Sequence, residues 1–194
     1  MAINLAKGQT YNLQRTSAAG LGEILINLNW NTGFFQNASG GIDLDLGCMY
    51  ELADGSKNVV QALGNAFGSL ISPPYISLDG DDRTGASVTG ENLRINGNMV
   101  SQIRRILVYT FIYEGVANWQ QADATVTIKY PGAEDIVVKM DTFNSSQIMC
   151  GLALFQNVNN ETFSVEKIVQ FYQGHQSLDR AFGWNMSWTP GRKN

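Results

Sequence analysis

Apolar residues recur at every second position through most of this chain, and no other feature constrains the fold as strongly. In the stretches 24–30 and 42–51, apolar residues alternate with residues that are mostly more polar. This period gives a β-strand one face that packs into a core and one that meets a different environment. The stretch 103–113 is apolar on both faces, which indicates a central strand that is covered on both sides. The sequence therefore predicts an all-β fold.

Turn signals divide the chain into short strands that follow one another closely. Asp54-Gly55 and Pro131-Gly132 are typical of hairpin turns, and residues 157–161 separate two further apolar runs. The run 176–182 has the pattern of a short C-terminal helix, and residues 189–194 resemble a frayed tail. We predict an antiparallel β-sandwich of two packed sheets, formed as a single domain over residues 1–194. The predicted strands lie at 11–13, 24–30, 42–51, 58–63, 75–78, 91–95, 103–113, 124–130, 136–140, 148–155 and 163–172.

The composition argues against several classes of protein. Apolar residues make up 44% of the 194 residues and the net charge is −4, which describes a globular protein with no general attraction to nucleic acid. The chain has no apolar run of about eighteen residues, so we expect no direct insertion into a membrane. The N-terminus has no secretory signal, and Cys48 and Cys150 lie in apolar strands as reduced packing residues. We expect a cytoplasmic protein.

Negative charge is concentrated in one quarter of the chain. Eight acidic and two basic side chains lie between Asp43 and Glu91. The stretch 79–85 holds three aspartates and two glycines. Asp43 and Asp45 are two residues apart in a predicted strand, so they point the same way with about 7 Å between them. Such a cluster repels itself unless it is solvated or neutralised by a cation.

Calcium is the cation that these side chains suit. Ca²⁺ takes roughly six to eight oxygens from carboxylates, backbone carbonyls and water, and a glycine-hinged loop can direct both kinds of oxygen to one point. We predict that the loop 79–85 meets Asp43 and Asp45 around Ca²⁺. The spacing is not that of an EF-hand, and Asp and Gly also form ordinary solvated turns. From spacing alone, the calcium site and the solvated turn remain equally supported.

The sequence gives little support to catalysis. His175 is the sole histidine, and its place before the predicted helix favours a capping or surface role over that of a general base. One histidine and two separated cysteines provide too few of the ligands that zinc and copper prefer. No glycine-rich phosphate loop or nucleophile elbow occurs. We therefore expect a protein that is not an enzyme.

Two alternatives stay open. A carboxylate pair such as Asp81 and Asp82 is able to support hydrolase chemistry. A lectin-like sandwich that binds glycans through calcium is the other possibility. Trp119, Trp184 and Trp188 are aromatic residues that could stack on a sugar, although packing in a core or at its edge is the commoner use of tryptophan.

Several motifs, in this order, resemble one known family. They are the strand end 28–30 (Leu-Asn-Trp), the strand start 42–45 (Ile-Asp-Leu-Asp), an Asp-Gly turn, the loop 80–85 (Gly-Asp-Asp-Arg-Thr-Gly) and the strand end 112–114 (Ile-Tyr-Glu). Together they resemble the TerD-like tellurium-resistance and stress-response family, over residues 3–184. The form Asn29-Trp30-Asn31, in place of the more usual Gly-Trp-Asp, is similar to the more divergent TerA-like branch.

The resemblance implies a calcium-binding β-sandwich in the bacterial cytoplasm, with a role in resistance to tellurite and other chemical stress and with no established enzymatic step. It also implies protein partners in a stress-response complex at the inner face of the membrane, while the oligomeric state stays open. Four aspartates match the acidic motif positions of the family, namely Asp43, Asp45, Asp81 and Asp82. The other candidate metal ligands are Asp79, Thr84 and Glu91.

The chain departs from the family pattern after Gly85. The loop in the family usually continues with an acidic run, whereas residues 86–91 read Ala-Ser-Val-Thr-Gly-Glu here. Glu91 is the one acid left in this stretch. Because members of the family can bind two ions, the resemblance implies one good calcium site and leaves a second site in question.

Overall fold

The computed structural model describes residues 1–31, 42–80, 90–114, 118–143 and 146–193, with the backbone alone at Glu114. Two short 3-10 helices occur at Leu63–Asn65 and Gly97–Gln102. The strands and α-helices are β1 (Ile3–Asn4), β2 (Thr10–Asn12), β3 (Glu23–Asn29), β4 (Asp43–Leu52), β5 (Lys57–Val60), β6 (Gly68–Ser69), β7 (Ile76–Leu78), β8 (Glu91–Asn96), β9 (Ile103–Glu114), α1 (Trp119–Ala122), β10 (Thr125–Lys129), β11 (Ile136–Lys139), β12 (Met149–Val158), β13 (Thr162–Tyr172) and α2 (His175–Phe182).

The strands form two sheets. A seven-stranded sheet has the order β1-β11-β10-β3-β8-β7-β6, and a six-stranded sheet has the order β2-β13-β12-β9-β4-β5. The pairing of β1 with β11 is parallel, and the long strands pair antiparallel. The predicted antiparallel β-sandwich with a short C-terminal helix is confirmed. The strand β9 lies between β12 and β4, as its apolar sequence predicts.

Alternation along the strands produces the core between the sheets. In β3, the side chains of Ile24, Ile26 and Leu28 are fully buried, while their neighbours in the strand are partly or fully exposed. Leu44 and Leu46 of β4 belong to the same cluster of buried apolar residues. The two sheets therefore meet through the apolar faces that the sequence predicts.

The opposite face of the six-stranded sheet is also buried at β4, β9 and β12. Met49 of β4 and Leu107 of β9 lie in a second apolar cluster with Leu178 and Trp184. We call residues 175–193, which contain α2 and the chain that follows it, the C-terminal segment. This segment covers the face of the sheet that carries the odd-numbered residues of β4. The predicted polar face of β4 is therefore a second packed face.

Most strand predictions lie within one to three residues of the structure, and the differences have local causes. The two-residue strands β1 and β6 were missed because they are too short to show a period. The predicted strand 58–63 stops at Val60, where the chain turns into a 3-10 helix. The four-residue helix α1 was also missed. The prediction of a frayed tail at 189–194 is wrong for the described part, since Arg192 accepts a backbone hydrogen bond from Gly64 at 2.8 Å.

Buried polar contacts attach the C-terminal segment to the sheet. The carboxylate of Asp179, which is 3% exposed, accepts hydrogen bonds from the backbone N–H groups of Asn185 (2.6 Å) and Met186 (2.9 Å) and from the indole of Trp188 (2.8 Å). One side chain thus closes the turn that follows α2. The Trp184 indole donates to the Tyr50 carbonyl at 3.1 Å, which ties the turn to β4.

Removal of the Asp179 carboxylate tests this account of the turn. In Asp179→Ala, two backbone donors and one indole donor lose their acceptor, and we expect the free energy of unfolding to fall by about 2–4 kcal/mol. Urea unfolding followed by circular dichroism measures the change. The exposed Glu161→Ala is the control, with an expected change below about 0.5 kcal/mol. Equal losses in the two variants would contradict the assigned role of Asp179.

Candidate functional site

The site begins with two buried carboxylates at the start of β4. Asp43 is 6% exposed and Asp45 is 0% exposed. Both carboxylates contact Lys193 of the C-terminal segment, so both lie on the face of β4 that this segment covers. Leu44 between them packs in the core between the sheets. The expectation that the two aspartates point the same way agrees with this placement.

Lys193 brings an ammonium group to this pair. Its Nζ atom lies 2.6 Å from Asp45 Oδ1 and 3.5 Å from Asp43 Oδ2. The Lys193 side chain is 3% exposed, and its Nζ atom is 4.2 Å from the centroid of the Tyr113 ring. The aromatic face adds a favourable contact for a cation. Sequence reasoning missed Lys193, because a basic residue in a polar run near the end of the chain carries no sign of burial.

Glu91 approaches the same strand from the other sheet. It is 2% exposed at the start of β8, and its Oε2 atom accepts a hydrogen bond from the Leu46 backbone N–H at 2.7 Å. The partner strand β5 pairs with β4 only from Cys48 onward, so no strand among the described residues pairs with this edge of β4 at Leu46. The Glu91 carboxylate takes an acceptor position that a neighbouring strand would otherwise supply. It therefore places a third carboxylate beside the start of β4.

Asp79 has a partner of its own. The Arg94 guanidinium holds its carboxylate through two parallel contacts, Nε to Oδ1 and Nη2 to Oδ2, each at 2.9 Å. Arg94 also contacts Glu23 of the adjacent strand β3, and hydrogen bonds to Asp79 and Glu23 raise the pKa of the Arg94 guanidinium. This bidentate geometry suits a structural ion pair on the surface of the seven-stranded sheet. Asp79 therefore has a structural role as the partner of Arg94, and this role does not depend on a bound metal ion.

Asp81, Asp82 and Thr84, which belong to the predicted calcium loop, lie outside the described residues. Within the part of the chain that the structure describes, no group of three or more His, Cys, Asp or Glu side chains has the geometry to hold a metal ion. Asp43 and Asp45 supply the hard oxygen donors that Ca²⁺ prefers, and they are fewer than its usual coordination number needs. The donors fit calcium in kind, and a complete site needs further oxygens from the loop. A metal ion bound to Asp43 and Asp45 would compete with the ammonium of Lys193, which contacts both carboxylates.

The histidine lies beside a different part of the C-terminal segment. The Gln61 carbonyl Oε1 lies 2.7 Å from the Tyr109 hydroxyl, which donates to it, and 2.9 Å from His175 Nε2. The His175 ring also meets the rings of Tyr109, Phe111 and Trp188, with centroids 4.9–5.4 Å away. Burial lowers the pKa of His175 to about 4, so the ring is neutral at pH 7. The prediction of a capping or surface role missed the packing of this ring among aromatic side chains.

The cysteines and two tryptophans serve packing. Cys48 and Cys150 are free and buried, as predicted, and burial raises the pKa of the Cys48 thiol to about 12. Burial also raises the pKa of the Cys150 thiol. Such thiols are poor nucleophiles at neutral pH. Trp119 and Trp184 are 1% and 0% exposed, so neither offers a ring face on which a sugar could stack.

Comparisons with known proteins support the resemblance. The chain is 45% identical over 203 aligned residues to the tellurium resistance protein TerA of an Alcaligenes species. The alignment covers 99% of this chain and 56% of TerA. This chain is a relative of TerA. The resemblance to the TerD-like tellurium-resistance family is thereby confirmed, although the chain spans little more than half the length of this relative. No family model matches the chain.

Two solved structures share the fold of this chain. The crystal structure of SAV2460, a protein of unknown function, has a TM-score of 0.63 at 15% sequence identity. A homologue of the telluride resistance protein TerD from Streptomyces coelicolor A3(2) has a TM-score of 0.56 at 17% identity. Each comparison covers 82% of this chain and 95% of the solved chain. At this identity, the two structures show a common fold.

Among the helices of the described residues, none is long and apolar enough to span a bilayer.

The neutral His175 predicts a specific dependence of stability on pH. Its pKa of about 4 in the folded protein is below the ordinary value of 6.5, so the unfolded chain takes up a proton at higher pH. The stabilising contribution is complete above the unfolded pKa and declines as the pH falls toward the folded pKa. Between pH 7 and pH 5, we expect this group to lower the free energy of unfolding by about 2 kcal/mol.

His175→Gln removes this titration and keeps an N–H donor near Gln61. Urea unfolding at pH 7 and pH 5 measures the loss of stability in both proteins. We expect the loss to be smaller in the variant by about 2 kcal/mol. Equal losses would show that His175 is not buried as a neutral ring.

Proposed function

We propose that this chain is a calcium-binding β-sandwich module of a bacterial tellurite or chemical-stress resistance system. In this proposal, it acts as a binding or scaffold protein without catalysis. The observation that carries the calcium assignment is the burial of Asp43 and Asp45 at the start of β4, with Glu91 beside the same strand. The relation to TerA supports the assignment to tellurium resistance.

The proposed mechanism is electrostatic. Buried carboxylates are unfavourable unless a cation or hydrogen bonds compensate their charge. Calcium would receive oxygens from Asp43, Asp45 and the loop that carries Asp81 and Asp82. It would neutralise the charge of strand and loop together and hold the loop in one arrangement. The ordered loop would then form part of a surface for a protein partner.

A binding role fits the described side chains better than a catalytic one. Burial keeps His175 neutral, and the Nε2 atom of its ring is engaged with Gln61. The pKa of the Cys48 thiol is far above neutral pH. Trp119 is buried, and its indole donates to the Gln147 carbonyl at 2.7 Å. These groups are occupied in packing, which favours a scaffold protein over a hydrolase that stacks a substrate on Trp119.

We place this module in the cytoplasm, within a stress-response complex that reaches the inner face of the membrane through protein partners. The chain itself has a net charge of −4, which gives it no electrostatic attraction to an anionic lipid surface. Association through proteins is therefore the mode that this charge favours.

Calcium should raise the melting temperature of the purified chain. A ligand that binds only the folded state stabilises it by about 2.7 kcal/mol at a hundredfold excess over its Kd. For a chain of this length, we expect a rise of about 5–10 °C in millimolar calcium. Differential scanning fluorimetry measures the rise, and a chelator should reverse it.

Variants locate the site. Asp45→Asn and Asp81→Ala should each abolish the calcium-induced rise, because each removes a charged oxygen ligand. Asp54→Ala, which changes an exposed aspartate in the β4–β5 turn, should preserve it. An unchanged melting temperature in calcium for the wild-type chain would refute the calcium assignment.

Lys193 should compete with calcium for the aspartate pair. In Lys193→Gln without calcium, the buried carboxylates lose a cationic partner, and we expect a loss of about 3–5 kcal/mol in stability. Calcium should restore more stability to this variant than to the wild-type chain. Calorimetric unfolding with and without calcium measures both effects.

Arg192→Gln provides the matched control, because it makes the same change in charge at an exposed neighbouring residue. It should leave the calcium-induced rise as it is in the wild type. If Lys193→Gln and Arg192→Gln respond alike to calcium, Lys193 does not share the site.

A further inference from the structure

A second candidate site lies at the other end of the C-terminal segment. A cavity of about 830 Å³ separates β5 and the adjoining 3-10 helix from the start of α2 and residues 186–191. We call it the α2 cleft. Its volume is within the range of pockets that hold small molecules. Lining residues that matter for recognition are Gln61, Leu63, His175, Ser177, Arg180 and Trp188.

Gln61 is a buried polar side chain that the fold holds in one orientation. It is 6% exposed, and its carbonyl Oε1 lies within 2.7 Å of the Tyr109 hydroxyl and 2.9 Å of His175 Nε2. With Oε1 engaged by both groups, the amide Nε2 cannot turn toward either of them. Both of these contacts use Oε1 and neither uses the amide N–H groups, and Gln61 lines the cleft. The fold therefore holds the side chain of Gln61 in place and leaves its amide donors available to an acceptor bound in the cleft.

The same contacts fix the chemistry of His175. Because the ring is neutral and its Nε2 atom donates to Gln61, the proton is on Nε2 and Nδ1 is an acceptor. The ring therefore orients Gln61 and adds no charge to the cleft. Trp188, whose ring centroid is 5.2 Å from that of His175, provides an aromatic surface beside it.

Further donors come from the start of α2. The helix runs from His175 to Phe182, and the N–H groups of its first turn have no partner inside the helix. Ser177 Oγ accepts a hydrogen bond from the Gly174 backbone N–H at 3.2 Å, which holds the chain in place at this end. The positive end of the helix dipole faces the cleft through His175 and Ser177.

The charge of the lining favours an anion. Arg180 is the charged side chain among the described residues that line the cleft. The nearest buried acid on the helix, Asp179, is engaged by the backbone of Asn185 and Met186 and does not line the cleft. The cleft thus combines amide donors, a helix N-terminus and one guanidinium, and its described lining contains no carboxylate.

We propose that the α2 cleft binds a small organic anion through its carboxylate or phosphate oxygens. The oxyanion accepts hydrogen bonds from Gln61 Nε2 and from the first turn of α2, with Arg180 at the mouth. The apolar body of the ligand lies against Trp188 and Leu63. This site does not depend on calcium, because Asp43 and Asp45 contribute nothing to its lining.

Calorimetric titration of the full chain in the presence of a chelator tests the proposal. The probes are sodium benzoate, inorganic phosphate and, as the neutral analogue, benzyl alcohol. We expect the oxyanions to bind with a Kd at least about tenfold lower than that of benzyl alcohol. Binding of benzoate alone identifies a carboxylate ligand, and binding of phosphate alone identifies a phosphate; both outcomes support the oxyanion site. Absence of binding by both, or equal binding of benzyl alcohol, would overturn it.

Two charge-reversal variants separate a specific site from general attraction. Arg180→Glu and Lys139→Glu change the net charge equally, and both residues are exposed. We expect Arg180→Glu to weaken binding of the oxyanion about tenfold and Lys139→Glu to leave it unchanged. Equal effects of the two would overturn the proposal. Gln61→Glu, with its melting temperature as a check on folding, should also weaken binding; if it does not fold, Arg180→Glu decides.

Discussion

The burial of both faces of the six-stranded sheet at its central strands is the constraint on which the rest of this structure depends. A sheet in a sandwich usually leaves one face to solvent, and polar residues on that face then need no protein partner. Here the C-terminal segment covers the outer face at the central strands, so polar groups buried there need a partner within the protein. Glu51 is an example, since it is 6% exposed and its carboxylate contacts Arg104 and Arg105. The segment itself brings many of the other partners.

The C-terminal segment meets the sheet through a sequence of different chemistries. Near α2 the contacts are mostly apolar and aromatic. The Arg105 guanidinium also lies over the Trp184 ring, with its Cζ atom 3.7 Å from the ring centroid. Farther along, Arg192 accepts a backbone hydrogen bond, and Lys193 contacts two carboxylates. The aspartates of β4 and the α2 cleft are therefore parts of one covered face. The C-terminal segment both buries the carboxylates of Asp43 and Asp45 and forms one wall of the α2 cleft.

The sequence allowed the β-sandwich to be predicted, but it gave no sign that the C-terminal segment packs over the six-stranded sheet. A half-buried strand is predicted by the alternation of Ile24, Ile26 and Leu28 with more polar residues. The Asp54-Gly55 turn predicts the hairpin of β4 and β5. The placement of Asp43 and Asp45 on one face followed from the same geometry. Their burial did not, because it depends on residues about 150 positions away. Lys193 and Gln61 have no local pattern that distinguishes them from solvated polar residues, and tertiary contacts alone give them their roles.

The charges at the start of β4 explain why a calcium loop and a lysine are both reasonable partners for the same strand. An ammonium supplies one positive charge and three donors, whereas calcium supplies two charges and demands several more oxygens. The Lys193 ammonium compensates charge on Asp43 and Asp45 from the C-terminal segment, and its Nζ atom also meets the Tyr113 ring. In the proposed calcium site, the ion would replace this ammonium only with enough further oxygens to offset its dehydration. In our proposal, these oxygens would come from the stretch between Asp81 and Glu91, where the sequence departs from the acidic pattern of the TerD-like family.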